Sequence, residues 1–311
     1  MKTIAASILA GLAANVAAHG IVTKITIGTK TYQGYDPNFQ YMPTPPAVIG
    51  WTAPLTQDRG PVDGNKLNDP DIICQRGATN AGTISAPVAA GDSVSLQWTP
   101  WPESHHGPVL DYLADCGGDC STVDKTTLKF FKIDGVGMTS TAGSPPNFAD
   151  DDMIKNNNTW TVKIPSDIAP GNYVLRHETI ALHQAQAVGG SQPYPQCINL
   201  QITGSGTAKP DGVLGTELYK ATDPGIQFNI YTTFTNTNQY PVPGPTLYSG
   251  AAGAGGVSAP AATASSVAAA SSAAAPAGTT TKASAVSSST PAATGGAGCK
   301  VKRWHAKDFS M

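Results

Sequence analysis

Charged residues are scarce in this sequence, and their scarcity limits the partners that it can bind. Asp, Glu, Lys and Arg make up only 13% of the 311 residues, and the formal net charge is -2. A surface so close to neutral offers no electrostatic basis for binding nucleic acid or an anionic membrane. We therefore expect neither as a partner.

Long apolar runs and several catalytic motifs are also missing. After residue 18, no segment is long and apolar enough to predict a membrane-spanning helix. The sequence contains no G-x-S-x-G nucleophile elbow, no phosphate-binding loop and no EF-hand pattern. These absences argue against the hydrolase, nucleotide-binding and calcium-binding classes that those motifs mark.

Cysteines number only five, and only Cys116 and Cys120 are closely spaced, so a zinc site is not indicated. A local bridge could close the short loop between these two. Cys74 and Cys197 are then left as a long-range pair, and Cys299, beyond the low-complexity segment, is left without a partner in this scheme.

Residues 1–18 have the pattern of a secretory signal peptide. Lys2 supplies a positive charge, a short apolar stretch follows, and residues 16–18 are small enough for signal peptidase. We predict cleavage before His19 and a secreted, extracellular protein, in which disulfides can form.

Composition divides the rest of the chain into three parts. Residues 250–298 consist almost entirely of Ala, Ser, Thr, Gly and Pro, and such a segment buries too little apolar surface to offset its conformational entropy. We predict a disordered linker there. The tail at 299–311 is short, basic and too small for a core of its own. Residues 19–249 remain as one folded domain.

The domain has the pattern of an all-β fold. Six segments alternate apolar and polar residues or are rich in β-branched residues, namely 21–27, 94–98, 128–133, 159–164, 173–179 and 197–202. Turn-forming residues separate them, which predicts an antiparallel β-sandwich of the immunoglobulin/fibronectin-III-like type. We expect long loops, where function tends to reside, at 33–70, 99–125 and 204–249. Within the second of these, Ser121 to Thr127 could form a helical turn.

His19 suggests metal chemistry if the leader is removed. An N-terminal histidine offers one metal ion two nitrogens, its free α-amine and its imidazole Nδ1. A second imidazole would complete a planar set of three nitrogens, and tetragonal nitrogen ligation suits Cu(II).

The second imidazole has four candidates. His105 and His106 lie in a loop after a strand, and His183 follows the end of the 173–179 strand. His177 lies within that strand and is better explained as a hydrogen-bonded core residue. Spacing alone does not choose among the four.

Several motifs, in the same order along the chain, resemble a known family. They are Ala18-His19-Gly20, Trp98-Thr99-Pro100-Trp101-Pro102, His105-His106-Gly107-Pro108-Val109, the run from Gly171 to Glu178, and Gln192-Pro193-Tyr194-Pro195-Gln196-Cys197. They resemble the fungal lytic polysaccharide monooxygenases of auxiliary activity family 9, formerly glycoside hydrolase family 61. The resemblance covers residues 19 to about 249.

The resemblance implies roles for particular residues. His19 and His106 would hold one copper ion, with the Tyr194 hydroxyl in the axial position. His183 and Gln192 would hydrogen-bond the oxygen co-substrate, as outer donors that tune a metal site do. Tyr41 and Tyr231 would stack on sugar rings at a flat, loop-built, copper-bearing face. The resemblance also supports the pairings Cys74–Cys197 and Cys116–Cys120, and it leaves His105 outside the copper ligands.

Two other motifs have ordinary explanations. Asp150-Asp151-Asp152 could suggest the paired carboxylates of a glycoside hydrolase, but a solvated acidic loop is the better interpretation. Asn157-Asn158-Thr159 is an N-glycosylation acceptor in a secreted chain.

The expected activity follows from the resemblance. It is oxidative cleavage of cellulose, a β-1,4-glucan, at C1 or C4 or both, with copper, O2 or H2O2, and an external electron donor. We expect a monomer whose polysaccharide partner is crystalline cellulose or a related glucan, without the C-terminal cellulose-binding module that many members carry. The alternatives are a non-catalytic secreted carbohydrate-binding protein and a copper-binding protein.

The first testable prediction concerns the mature N-terminus. Mass analysis of the secreted protein should give His19 as the first residue, because residues 16–18 precede the expected cleavage site. Any other first residue would remove the amine on which the copper site depends.

Overall fold

The computed structural model describes residues 19–80 and 83–251. The predicted signal peptide, Cys299, the tail and nearly all of the predicted linker lie outside the described residues, and the divisions at 18, 249 and 298 stay predictions. Within the described part the strands are β1 Val22–Ile27, β2 Lys30–Gln33, β3 Ala86–Ala89, β4 Ser93–Trp98, β5 Val109–Asp115, β6 Lys129–Val136, β7 Met138–Ser140, β8 Asn147–Phe148, β9 Thr159–Lys163, β10 Gly171–Ala181, β11 Gln192–Thr203 and β12 Val213–Leu214.

Helices are few and short in the described part. The α-helices are α1 Asp71–Cys74 and α2 Ala149–Lys155. Single 3₁₀ turns lie at Pro37–Tyr41, Lys125–Thr127, Gly215–Glu217, Thr237–Gln239 and Ser249–Ala251. Searching the described residues finds no helix that combines the length and the apolar character needed to cross a bilayer.

Two sheets form the predicted β-sandwich, which confirms the fold class. One sheet has the order β2-β1-β4-β9, and the other has the order β12-β6-β5-β10-β11-β3. The pairs are antiparallel except at one edge, where β11 and β3 run parallel. A small hairpin of β7 and β8 stands apart from both.

The six predicted strands are all present, with shifted ends, and alternation is clear in those of the smaller sheet. In β4, for example, Val94, Leu96 and Trp98 are buried while the residues between them are partly exposed. Such a strand has one face on the core and one face towards solvent. The predicted helical turn at 121–127 is present only as the 3₁₀ turn at Lys125–Thr127.

The prediction of one long loop at 99–125 was wrong, because β5 lies within it. All but the last residue of β5 is buried, so the strand shows no alternation between apolar and polar residues. Its two faces belong to different cores. Val109 and Leu113 pack between the sheets, whereas Leu110, Tyr112 and Ala114 pack beneath loops on the outer face of the larger sheet.

Buried polar bonds fasten these outer loops to β10. The Arg176 guanidinium donates to the carbonyls of Ile72 and Ile73 and forms two bonds to the Glu178 carboxylate, at 2.7 and 2.8 Å. Tyr219 donates to Glu178 at 2.6 Å. Every charge in this buried group therefore has a partner, which its desolvation requires.

Both expected disulfides are present. Cys74 of α1 is bonded to Cys197 of β11, and Cys116 is bonded to Cys120. The first bond attaches the loop that carries α1 to the strand that also carries Tyr194.

Candidate active site

Strand directions bring the predicted site residues to one end of the sandwich. β1 begins beside the end of β4, where Val22 pairs with Trp98. In the other sheet, β5 begins at Val109, which pairs with Thr179 near the end of β10, and β11 begins beside the end of β10. The segments just outside these strand ends carry the histidines of interest.

His19 lies three residues before the start of β1 and is partly exposed. Its imidazole centroid is 6.2 Å from that of Tyr194. Its Nδ1 is 3.1 Å from the backbone carbonyl of Asp58, so Nδ1 carries the proton in this contact. The Asp58 carboxylate in turn forms an ion pair with Arg76.

His106 lies in the loop before β5, and its ring is held on one side. Its Nδ1 is 2.9 and 3.0 Å from the two carboxylate oxygens of Asp151. Its backbone carbonyl accepts a bond of 2.9 Å from the N–H of Leu182, just after β10. Because Asp151 occupies Nδ1, the Nε2 atom is the ring nitrogen left for a metal.

The prediction that Asp150-Asp151-Asp152 forms a solvated loop was wrong. The three residues form the first turn of α2, and only Asp152 faces outward, where it pairs with Lys155. Acidic residues are favoured in a first turn by the exposed N–H groups there. Asp150 is fully buried and accepts bonds from the N–H of Gly107 at 2.8 Å and from Trp101 Nε1 at 3.1 Å.

Burial changes the acidity of Asp150. Loss of solvation, and then repulsion by the neighbouring Asp151 carboxylate, raise the pKa of Asp150 well above its ordinary value. The hydrogen bonds from Gly107 and Trp101 act in the opposite direction.

Tyr194 is buried between the two sheets. Trp101 packs edge-on against its ring at 4.9 Å, and its hydroxyl donates to Gln192 Oε1 at 3.2 Å. Burial, and then the negative charge of Asp58, raise the pKa of Tyr194 above its ordinary value. The hydroxyl therefore stays protonated and neutral near neutral pH.

His183 lies in the turn between β10 and β11. Its ring centroid is 4.2 Å from that of His105. Its Nδ1 is buried without a hydrogen-bond partner among the described residues. Burial, and then the nearby His106, lower the pKa of His183, so the imidazole is held in its neutral form.

The remaining histidine candidates pack inside the protein. His177 is fully buried, with its Nε2 accepting from Trp98 Nε1 at 2.8 Å and its Nδ1 2.8 Å from Asp111. It is the core residue that the strand pattern predicted. His105 is 8% exposed and packs edge-on against Trp101, with its Nδ1 3.2 Å from the Ser104 hydroxyl.

The two tyrosines predicted to contact substrate are exposed. Tyr231 is 51% exposed, and its hydroxyl donates to the backbone carbonyl of His183 at 3.1 Å. Tyr41 is 70% exposed and ends the 3₁₀ turn that begins at Pro37. The Pro37 carbonyl accepts a bond from the side chain of Gln57, next to Asp58. Tyr231 is thus bonded directly to a residue of the site, whereas Tyr41 is connected to the site only through its 3₁₀ turn and Gln57.

Asn157 lies in the turn after α2 and is exposed, with a positive φ of 55°. Its glycosylation stays a prediction.

The described residues contain no acidic or cysteine-rich metal cluster. Across 19–80 and 83–251, no group of three or more His, Cys, Asp or Glu side chains is placed to hold a metal ion. A site built from an amine and two imidazoles does not need such a group.

Comparison with known proteins gives a family match over most of the chain. The profile of Auxiliary Activity family 9 (formerly GH61) matches residues 19–240. An AA9 family lytic polysaccharide monooxygenase A of Thermoascus aurantiacus is 57% identical over 233 residues, which is 75% of this chain and 100% of that protein. One of Malbranchea cinnamomea is 56% identical over 240 residues, which is 77% of this chain and 70% of that protein.

Solved structures agree in fold. The extended catalytic domain of H. jecorina LPMO9A is 55% identical, with a TM-score of 0.71 over 75% of this chain and 92% of that chain. Cel61B of H. jecorina is 43% identical, with a TM-score of 0.69 over 74% of this chain and 100% of that chain.

A β-sandwich with histidines and a buried tyrosine gathered at one end fits an oxidative enzyme better than a simple binding module. The chain belongs to Auxiliary Activity family 9, whose members are copper-dependent monooxygenases that act on polysaccharides. The resemblance seen in the sequence is thereby confirmed, and the non-catalytic alternatives are set aside.

Sequence reasoning missed four residues of the site. They are Asp58, Trp101, Asp150 and Asp151. For the two aspartates a local signal existed, because an acidic run followed by Met153 and Ile154 is typical of a helix N-terminus. For the other two, only the fold shows what they contact.

Close packing behind His106 generates the second testable prediction. A Cβ on Gly107 would overlap the carbonyl oxygen of Ile180, whereas a Cβ on Gly118 would meet nothing within 4 Å. Gly107→Ala should therefore destabilise the protein by about 3 kcal/mol or more, and Gly118→Ala should have little effect. Denaturant unfolding of the two variants tests this, and equal midpoints would contradict it.

Proposed function

We propose that the chain, once cut before His19, oxidatively cleaves cellulose or a related β-1,4-glucan at C1, C4 or both. The co-substrate is O2 or H2O2, and an external donor supplies electrons. The proposal is supported above all by the placement of His19, the Asp151-held His106 and the buried Tyr194 at the same end of the sandwich. The family match beginning at residue 19 supports cleavage at that point.

The donors present fit a copper ion. His106 is held through Nδ1 and offers Nε2, and the neutral Tyr194 hydroxyl would be a weaker oxygen ligand of the same ion. His19 would supply Nδ1 and, after cleavage, its α-amine. Because Nδ1 contacts the Asp58 carbonyl in the structure, chelation requires the ring to exchange that contact for the metal. Nitrogen ligands in this number suit Cu(II).

Bound copper would supply one-electron redox chemistry, and the surrounding side chains would direct it. The neutral His183 ring and the Gln192 side chain lie next to the proposed ligands His106 and Tyr194. In the proposed role they hydrogen-bond the oxygen co-substrate and hold its position. Trp101 packs edge-on against both Tyr194 and His105, which would restrict movement of these two rings.

The substrate surface is proposed to include Tyr41 and Tyr231. A crystalline chain cannot enter a deep pocket, so its sugar rings must be met by side chains that project outward. Both tyrosines do so, and Tyr231 is tied by its hydroxyl to the His183 backbone. Stacking there would set the distance between the glucan and the site.

Secretion, the oligomeric state and the arrangement of the C-terminal segments are also proposals. Family members are secreted fungal enzymes, and export through residues 1–18 agrees with that. We propose a monomer in which the 250–298 linker and the 299–311 tail extend from the folded domain.

The third prediction tests the ligands. His19→Ala and His106→Ala should each abolish Cu(II) binding and the release of oxidised oligosaccharides from cellulose, because each removes a nitrogen ligand. His305→Ala, in the tail, should leave both unchanged. Calorimetric titration with copper and mass spectrometry of products with and without reductant provide the measurements. Wild-type release from either site variant would refute the assignment, and reductant-independent release of unoxidised sugars would indicate a hydrolase.

The fourth prediction concerns the substrate surface. Tyr231→Ala should weaken binding to cellulose roughly 3- to 10-fold, because ring stacking contributes about 0.5–1.5 kcal/mol. Tyr231→Phe keeps the ring and loses only the bond to His183, so its binding should stay near that of the unchanged protein. Binding isotherms and copper spectra of both variants test this. An altered copper spectrum in Tyr231→Ala alone, without weaker binding, would contradict a stacking role.

A further inference from the structure

The three successive aspartates of α2 do different things, although their sequence gives no reason to separate them. Asp152 pairs with Lys155 on the surface. Asp150 is fully buried beneath the loop that carries His106. The Asp151 side chain is 13% exposed and faces the His106 ring.

The Asp151 carboxylate is held by a backbone hydrogen bond in addition to its contact with His106. Its Oδ2 accepts a bond of 2.6 Å from the backbone N–H of Phe148, at the start of α2. A carboxylate anchored in this way cannot rotate freely. Both oxygens lie within 3.0 Å of His106 Nδ1, which points the ring edge at α2.

Asp150 fixes the backbone that carries the same ring. Its Oδ1 accepts from the N–H of Gly107, and its own backbone N–H donates to the Gly107 carbonyl at 3.3 Å. Two bonds in opposite directions therefore join α2 to the residue after His106. The first turn of α2 therefore holds both the His106 ring and the backbone that follows it.

The Asp151 contact selects one tautomer of His106. An ionised carboxylate only accepts hydrogen bonds, so the imidazole proton must sit on Nδ1. In a neutral ring the other nitrogen, Nε2, then carries the lone pair.

We propose that Asp151 is a positioning residue that presets His106 for metal binding, by holding the proton on Nδ1 and the free lone pair on Nε2. The proposal rests on the assignment of His106 as a copper ligand. It assigns Asp151 no contact with copper or substrate.

Asp151→Asn is the sharpest test. The amide oxygen can still accept from the Phe148 N–H, so the start of α2 is preserved. The amide nitrogen can then donate to an unprotonated Nδ1, which places the ring proton on Nε2, where it competes with a metal. Asp152→Asn is the matched control, because it removes a charge from the same helix turn without touching His106.

The first readout needs no metal. Nitrogen-15 NMR of the histidine rings in the metal-free protein, above the ordinary pH range of imidazole protonation, should show the Nδ1–H tautomer for His106 in the unchanged protein and in Asp152→Asn. It should show a shift towards Nε2–H in Asp151→Asn. Unchanged ring shifts in Asp151→Asn would overturn the proposal.

The second readout is copper. Competition titration should give a Kd for Cu(II) about 10- to 100-fold higher in Asp151→Asn, the usual effect of losing such an outer partner, with altered nitrogen couplings in the electron paramagnetic resonance spectrum. A lower melting temperature with unchanged Kd and couplings would show a purely structural role and overturn the proposal.

The variant His106→Ala distinguishes failure of the proposed function from failure of the proposed role of Asp151. If it binds copper normally, the proposed function fails. If it loses copper while Asp151→Asn matches Asp152→Asn, only the role of Asp151 fails.

Discussion

Burial of the larger sheet on both faces is the constraint from which the rest of the structure follows. One face packs against the four-stranded sheet, and the other is covered by loops that carry Trp51, Ile72 and Ile230. Loops that serve as a core layer must be fastened. The Arg176–Glu178 pair and the Cys74–Cys197 bond do this from beneath. Ordered loops are what allow a precise site at the end of a sandwich.

The site itself is held by polar groups that lie inside the protein. The carboxylates of Asp150 and Asp151 support the His106 loop from one side, and Trp101 connects Asp150 to the Tyr194 ring. Burial keeps Tyr194 protonated and His183 neutral. These two side chains are therefore uncharged near neutral pH at the end of the sandwich where the proposed site lies.

Much of the fold could be predicted because one-sided strands reveal themselves by alternation. The smaller-sheet strands β1, β4 and β9 were visible for that reason. β5 was not, because residues buried on both faces lose the period of two. α2 was missed because its seven residues are too few for a helical period, and its acidic first turn resembles a solvated loop.

The sequence by itself determined the strand pattern, the family and, through the family motifs, His19, His106 and Tyr194 as the residues to examine. It did so because these depend on local order along the chain. Only the tertiary structure decided which aspartate is buried, which one faces His106, and that the Asp58 carbonyl lies against His19. Those contacts join residues 39 to 45 positions apart, and their geometry follows from how the strands end side by side.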